Sequence, residues 1–358
     1  MTTTVIQRKL NEEYCRNANS IKAMVDSGLT HIPSDFILPQ NMQPRFTKSD
    51  KSRDVPTIDL SLVNDESERP RIATAVTEAA KEWGVFKVVG HGISATLRKK
   101  LIQVIREFFD LPLSDKLQFL GPSGDTSTPR YGRTRRGKTG HQSWRDQFHH
   151  RTPPLDFEEL QSWPEKPETY RDTILEWTKE IQKVTDTVFS LLADAYDLQP
   201  RRLQNLMGTA ESGMEATMLA AYYPPCPQPD VASGIVAHTD PVGMVVNFED
   251  VPGLEVQKDG TWILVAPDPE SLIILTGDAM EIITNGRCKS CEHRVLLKEK
   301  QDRVSALVLM KPSLEAKLCV APEFITSGPP SRFMGMNMTY REYLQTFRRK
   351  CSDATVDS

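Results

Sequence analysis

GIVAHTDPVGM, residues 234–244, sets an imidazole and a carboxylate two positions apart inside an apolar run. Read as a strand, this stretch turns residues i and i+2 to the same face. His238 and Asp240 then aim at one point, either as a hydrogen-bonded pair or as two ligands of one metal ion. The surroundings support the strand reading. From about residue 215 onward, β-rich runs alternate with turn signals roughly every ten residues: MLAAYY, GMVVNF, LEVQ, TWILVA, LIILTG, EIITNG, HRVLLK and RVSALVLM. Asp-Gly in VQKDGTWI and Asn-Gly in ITNGRC are hairpin-turn dipeptides. This spacing predicts an all-β sandwich or barrel around the His-x-Asp strand.

The N-terminal half has a different texture. VPTIDL (55–60) and VFKVV (85–89) read as strands, and SWRDQFHH as a further one. Between the first two, Ile72, Val76, Ala79, Ala80 and Trp83 recur at helical spacing until Gly84 ends the run. Ser94 is the expected N-cap of a helix through LRKKLIQVIREFFDL. Residues 121–142, rich in Gly, Ser and Thr, read as loop. The strongest helix runs from about 168 to 197, with Ile174, Trp177, Ile181, Val184, Val188 and Leu192 on one stripe. The expected architecture is α+β with a mainly β core. A helix-rich portion spans 1–212, a β core 213–325 and a C-terminal helix or tail 326–358. No clean linker divides residues 1–358, so a single intertwined domain is expected.

Composition narrows the function classes. A net charge of -4 over 358 residues leaves no footprint for nucleic acid or an anionic membrane surface. Six cysteines do not make a disulfide scaffold. The N-terminus lacks the apolar run of a signal peptide, and no stretch approaches the roughly 20 apolar residues of a membrane span. The expectation is a soluble, cytoplasmic monomer whose partners are a small-molecule substrate and O2.

Three further features raise the metal reading over the structural pair. CEHRVLL places His293 in the same β core; RVSALVLM places Arg303 and Ser305 two apart on the next strand; YYPPCPQP places Tyr223 upstream. Two imidazoles and one carboxylate occupy one face of a metal and leave other positions open, which suits iron(II) binding an organic ligand and dioxygen together. An arginine with a hydroxyl beside it can clamp the far carboxylate of a dicarboxylic co-substrate.

With these residues in place, the chain resembles the plant-type 2-oxoglutarate- and iron(II)-dependent dioxygenases. His238-Thr-Asp240, His293 and Arg303-Val-Ser305 carry the resemblance, together with VPTIDL, EWGVFKVVGHGI, YYPPCPQPD, VPGLEVQKDGTWI and ITNGRCKSCEHRVL, from about residue 20 to 350. It implies a double-stranded β-helix, or jelly roll, with flanking helices. It implies His238, Asp240 and His293 as iron ligands, and Arg303, Ser305 and Tyr223 around 2-oxoglutarate. It also implies ascorbate as reductant, and oxidative decarboxylation to succinate and CO2 coupled to hydroxylation or desaturation of a specialised metabolite. A phenylpropanoid or flavonoid is the leading substrate class, and an alkaloid or hormone-like molecule the alternative. Ala221 replaces the family's usual Asn before Tyr-Tyr-Pro. Leu219 stands where flavonoid-oxidising relatives commonly carry lysine, and Lys311 near a position where they carry glutamate. Both changes argue against copying that subgroup's substrate pose.

Other motifs have plainer readings. CKSCEH lacks the second ligand pair of a structural zinc site, so Cys288 and Cys291 are expected as free thiols. His91 reads as a satisfied turn residue, and of His149 and His150 only one can face a pocket. The basic run RYGRTRRGKTG (130–140) is a solvated loop or a lid drawing in an acidic substrate. Tyr131, Arg135, Phe148 and Leu309 are the candidate substrate contacts. A catalytically silent cupin-like binding module and a zinc or manganese hydrolase are the competing readings. The first need not keep all of the triad and Arg303, and the second has no use for Arg303 and Ser305.

Overall fold

A computed structural model describes residues 20–44, 54–120, 129–133, 141–210, 212–266, 268–325 and 332–352. Its centre is a large sheet of eight strands. In chain order these are β1 (Thr57–Asp59), β2 (Val85–Val89), β3 (Arg130–Arg133), β4 (Asp146–Arg151), β5 (Glu215–Tyr223), β7 (Met244–Glu249), β10 (Leu272–Thr276) and β12 (Arg303–Lys311). They lie side by side as β1-β2-β10-β7-β12-β5-β4-β3. A smaller sheet, β6-β11-β8-β9, is built from β6 (Ile235–His238), β8 (Leu254–Lys258), β9 (Thr261–Leu264) and β11 (His293–Val295). Side chains of both sheets line one cavity, so their inner faces oppose each other as in a jelly roll. Strands from the N-terminal half complete the large sheet begun by the C-terminal half.

The helices form where the periodicity places them. Helix α1 (Ile21–Asp26) starts at Ser20, whose hydroxyl accepts from Ala23 N. Helix α2 (Arg69–Glu82) buries Ile72, Ala73, Val76, Ala79 and Ala80. It stops at Gly84, whose φ of 69° favours glycine and where a Cβ would lie 2.3 Å from the Lys289 carbonyl oxygen. Helix α3 (Ala95–Asp110) is capped by Ser94, whose Oγ accepts from Leu97 N at 3.1 Å. Helix α4 (Tyr170–Ala195) buries Ile174, Trp177, Ile181, Val184, Val188 and Leu192, as its stripe predicts. Each such aliphatic side chain contributes about 1.5–3 kcal/mol by leaving water. Helices α2, α3 and α4 cover the outer face of the large sheet, where one apolar cluster runs from Ile72 through Phe108 and Trp177 to Val308. A second cluster fills the space between the sheets, with Ala221, Val245, Val256, Leu275 and Val295. Helix α5 (Tyr340–Ser352) packs Tyr340, Tyr343 and Leu344 against the first cluster. No helix among the described residues is long and apolar enough to cross a membrane.

Two local expectations are corrected. EIITNG is not a strand: residues Asp278–Ile283 form a helical turn, and Asn285 and Gly286, both at positive φ, end it instead of turning a hairpin. Six apolar-rich residues do not distinguish strand from helix by period alone. Within the expected loop 121–142, Arg130–Arg133 form β3, paired antiparallel to β4. The Asp259-Gly260 hairpin is present, with φ of 50° and 77° between β8 and β9.

Candidate metal centre

Register brings the His-x-Asp strand to its distant partner. On β6 and β11, His238 and His293 are direct cross-strand neighbours, with ring centroids 4.2 Å apart. Asp240 follows β6 and reaches both: Oδ1 lies 3.5 Å from His238 Nε2 and Oδ2 3.6 Å from His293 Nε2. One ligand atom from each residue falls within 4.8 Å of the other two, close enough to share a single ion. The tautomers suit that role. His238 Nδ1 lies 2.9 Å from the Val236 carbonyl and His293 Nδ1 3.2 Å from the Cys291 carbonyl. A carbonyl only accepts, so each Nδ1 carries the proton and each Nε2 presents a bare lone pair toward Asp240.

The charges are set for ligation. Burial works against the Asp240 carboxylate, but His293, His238 and Arg145 outweigh it and hold its carboxyl down at about 2. Burial, with His238 adding to it, lowers His293 to about 4 against the pull of Asp240. Both groups therefore stand in their metal-binding protonation state at neutral pH.

Beside them lies a cavity of about 80 Å³ lined by His238, Asp240, His293, Tyr223, Arg303 and Ser305. Arg303 and Ser305 are two apart on β12, opposite Tyr223 and Ala221 of β5. The Arg303 guanidinium lies over the Tyr223 ring, 4.8 Å from its centroid, and Nε donates to the Val251 carbonyl at 3.0 Å. Nη2 is paired with buried Glu249, while Nη1 has no partner among the described residues. A buried guanidinium nitrogen without an acceptor is costly unless a ligand supplies one. Burial opposes ionisation of the Tyr223 phenol, yet Arg145, Arg303 and a Ser305 hydrogen bond hold it below its ordinary value.

Three glycines allow this packing. A Cβ on Gly234 would meet the Tyr223 ring at 2.7 Å, one on Gly253 would meet Arg303 Cδ at 2.8 Å, and one on Gly277 would meet the Asp240 carbonyl oxygen at 2.8 Å.

The sequence reading missed Arg145, Asn247 and Glu249. Arg145 is buried, lines the cavity and lies 3.4 Å from the Tyr223 hydroxyl. Alternation from Gln147, His149 and Arg151 back along β4 was the signal that could have found it. Asn247 and Glu249 lie opposite Leu307 and Ser305 on β7, and Asn247 Nδ2 donates to Glu249 at 3.0 Å.

The expected substrate contacts divide. Leu309 lines both this cavity and a larger one of about 650 Å³ that also shares Leu219. Tyr131 and Phe148 line neither. Tyr131 is buried, its hydroxyl donating to Asp146 at 3.1 Å. Phe148 packs on Phe108, Phe119 and Tyr170. On β4 the buried set is Asp146, Phe148 and His150, so the opposite set, Gln147, His149 and Arg151, faces the larger cavity. Arg135 lies outside the described residues. Cys288 and Cys291 are buried free thiols, and His91 is satisfied by the Glu270 carbonyl and Ile93 N.

Comparison with known proteins agrees with this geometry. Residues 214–312 match the model of the 2OG-Fe(II) oxygenase superfamily, and residues 55–166 that of the non-haem dioxygenase in morphine synthesis N-terminal region. The chain is 35% identical to a flavonol synthase/flavanone 3-hydroxylase of Eustoma exaltatum subsp. russellianum, covering 90% of this chain and 94% of the relative. It is 29% identical to jasmonate-induced oxygenase 4 of Arabidopsis thaliana, over 95% of this chain and 96% of that one. Among solved structures, JOX2 in complex with 2OG, Fe and JA superposes with a TM-score of 0.80 at 29% identity, covering 92% of this chain and 93% of that chain. A bare pair of imidazole nitrogens, a shared carboxylate and a half-partnered arginine thus sit in a jelly roll with relatives of one chemistry, and the chain belongs to the 2-oxoglutarate- and iron(II)-dependent oxygenase superfamily.

Proposed function

We propose that His238, Asp240 and His293 hold the ferrous iron of this 2-oxoglutarate-dependent oxygenase, and that Arg303, Ser305 and Tyr223 hold the far carboxylate of 2-oxoglutarate. The observation that carries this reading is the meeting, in one cavity, of two bare Nε2 atoms with the unpartnered Arg303 Nη1. When bound, the iron brings 2-oxoglutarate and dioxygen together, coupling decarboxylation of the diacid to oxidation of a substrate C–H bond. The protein's share is placement. The three ligands come from one face and leave the other coordination positions open. Arg303 Nη1 and the Ser305 and Tyr223 hydroxyls fix the diacid's distal end, while Glu249 occupies Nη2. Arg145 balances Glu249: a ferrous ion and a dianion added to Asp240, Arg145, Arg303 and Glu249 leave the site formally neutral. Val245, Leu254, Leu275 and Val295 keep the walls apolar.

The substrate is a small specialised metabolite entering through the larger cavity past Leu219 and Leu309. A phenylpropanoid or flavonoid is the first reading, supported by the flavonol synthase relative. A hormone-like molecule is the second, supported by the jasmonate-induced oxygenase relative. Ascorbate keeps the iron reduced. The chain works as a single-domain cytoplasmic monomer, its jelly-roll core over 213–325 completed by strands β1 to β4 from the N-terminal portion. The test is an aerobic metabolite panel with iron, 2-oxoglutarate and ascorbate, read by mass spectrometry. Substrate-dependent succinate with gain of one oxygen or loss of two hydrogens supports the reading. Substrate loss without succinate refutes it.

A further inference from the structure

The larger cavity carries a charge that the oxygenase reading does not use. Its walls include four cations, Arg151, Lys311, Arg341 and Arg348, against one carboxylate, Glu215. Two of the cations already have partners: Arg151 pairs with Glu159 at 2.5 Å and Arg341 with Glu315 at 2.6 Å. The side chains of half-buried Lys311 and exposed Arg348 make no ion pair or hydrogen bond among the described residues. Glu215 stands opposite Lys311 across the β5–β12 pair but does not reach it as an ion pair. Lys311 is half-buried. Burial lowers its amine to about 8, with Arg151 adding to this and Glu215 resisting it.

Position gives this charge a meaning. Along β12, Arg303, Ser305, Leu307, Leu309 and Lys311 share one face by alternation. Arg303 lies at the co-substrate end, and Lys311, eight residues on, lies about 26 Å away. Leu219 and Leu309 sit at the junction of the two cavities, and Pro241 and Val242, immediately after Asp240, line the larger one. The metal centre therefore lies between two separate cationic ends. One accounts for the diacid, and the other is left for the substrate. The rest of the lining mixes apolar side chains, Leu314 and Leu344 among them, with polar ones such as Gln147, His149 and Thr217, and the volume suits one small organic molecule.

We propose that the larger cavity binds an organic anion: an apolar body against Leu219, Leu309 and Leu344, with a carboxylate or similar group on Lys311 and Arg348. The anion supplies the partner that the half-buried Lys311 ammonium lacks among the described residues. The same field repels a protonated amine, which sets amine-bearing substrates aside. The inference rests on the oxygenase reading for the identity of the cavity as the substrate's.

The test is calorimetric binding, without oxygen, to the manganese-loaded protein saturated with 2-oxoglutarate. The probes are trans-cinnamate, 4-phenylbutyrate and 1-naphthaleneacetate, each beside its methyl ester. At least one acid is expected to bind tenfold or more tightly than its ester. Lys311→Met and Arg348→Ala are each expected to reduce that ratio several-fold, and Lys311→Arg to retain it. Ratios near one for all three pairs, including the case in which no acid binds, overturn the proposal, as does a ratio unmoved by Lys311→Met. Affinity for 2-oxoglutarate, measured on the same samples, separates the two readings. If it is intact while acids show no preference, only the anion proposal fails. If the manganese-loaded wild type does not bind 2-oxoglutarate, the underlying oxygenase assignment fails.

Discussion

Gly253→Ala isolates the proposed role of Arg303 without touching it. A Cβ at residue 253 would lie 2.8 Å from Arg303 Cδ and 2.9 Å from Nε. Carbon atoms settle at about 3.5–4.0 Å, so the side chain must retreat by roughly 1 Å. It has little freedom to do so, because Nε is tied to the Val251 carbonyl, Nη2 to Glu249, and the guanidinium lies over Tyr223. The backbone of residue 253 is not in the left-handed region, so alanine adds no φ strain and the effect is steric. Loss of a hydrogen bond to a charged group costs about 1.5–3 kcal/mol, or roughly 10- to 150-fold in affinity. The Kd for 2-oxoglutarate should rise by that factor in anaerobic calorimetry, while metal affinity stays within about twofold. An unchanged Kd would refute the placement of the co-substrate on Arg303. Equal loss of metal and co-substrate would show a collapsed fold instead. Gly260→Ala is the control: its φ of 77° lies at an open hairpin turn with no atom in the way. It should cost about 1 kcal/mol of stability and leave the Kd for 2-oxoglutarate unchanged.

Phe148→Ala tests the corrected placement of an aromatic first expected at the substrate. It should destabilise the fold by about 3–5 kcal/mol while the ratio of KM values for two substrates stays fixed; a selective change in that ratio would return Phe148 to the pocket. His150 is fully buried against Trp163 and Tyr170, and burial lowers it from 6.5 to about 3. The unfolded chain therefore binds the extra proton first, and stability present above pH 6.5 is lost as pH falls toward 3. Relative to His150→Phe, the wild type should lose about 1.6 kcal/mol between pH 6.5 and pH 5 in urea melts; parallel pH profiles would contradict a buried neutral imidazole. Lys311→Met, as above, should weaken binding of acids and spare their esters.

Much of the site was legible because strands alternate. Arg303 and Ser305 lie two apart on β12, and that period predicted their shared face; Asp240 lies two residues past the end of β6 and reaches His238 from outside the strand. What spacing could not supply was register. Nothing in the chain states that His293 pairs directly with His238, or that Arg303 lies opposite Tyr223; those facts arise when eight and four strands find their order. The family resemblance bridged that gap for these residues but not for Glu249, Asn247 or Arg145, whose importance comes from neighbours on other strands. Tyr131 and Phe148 show the matching limit. Alternation divides β4 into two faces without saying which is dry, and the aromatic core around Phe108 claimed the face that the sequence reading gave to substrate. The Asp278–Ile283 turn failed for length: six residues hold too little periodicity to choose between helix and strand.

The central claim is tested most directly by titrating the apo protein with iron(II) under anaerobic conditions and locating the ion by anomalous diffraction at the iron edge. One equivalent should bind, with a single peak within bonding distance of His238 Nε2, Asp240 and His293 Nε2, and Asp240→Ala should abolish both the peak and the binding isotherm. A peak elsewhere, or full binding in Asp240→Ala, would contradict the account.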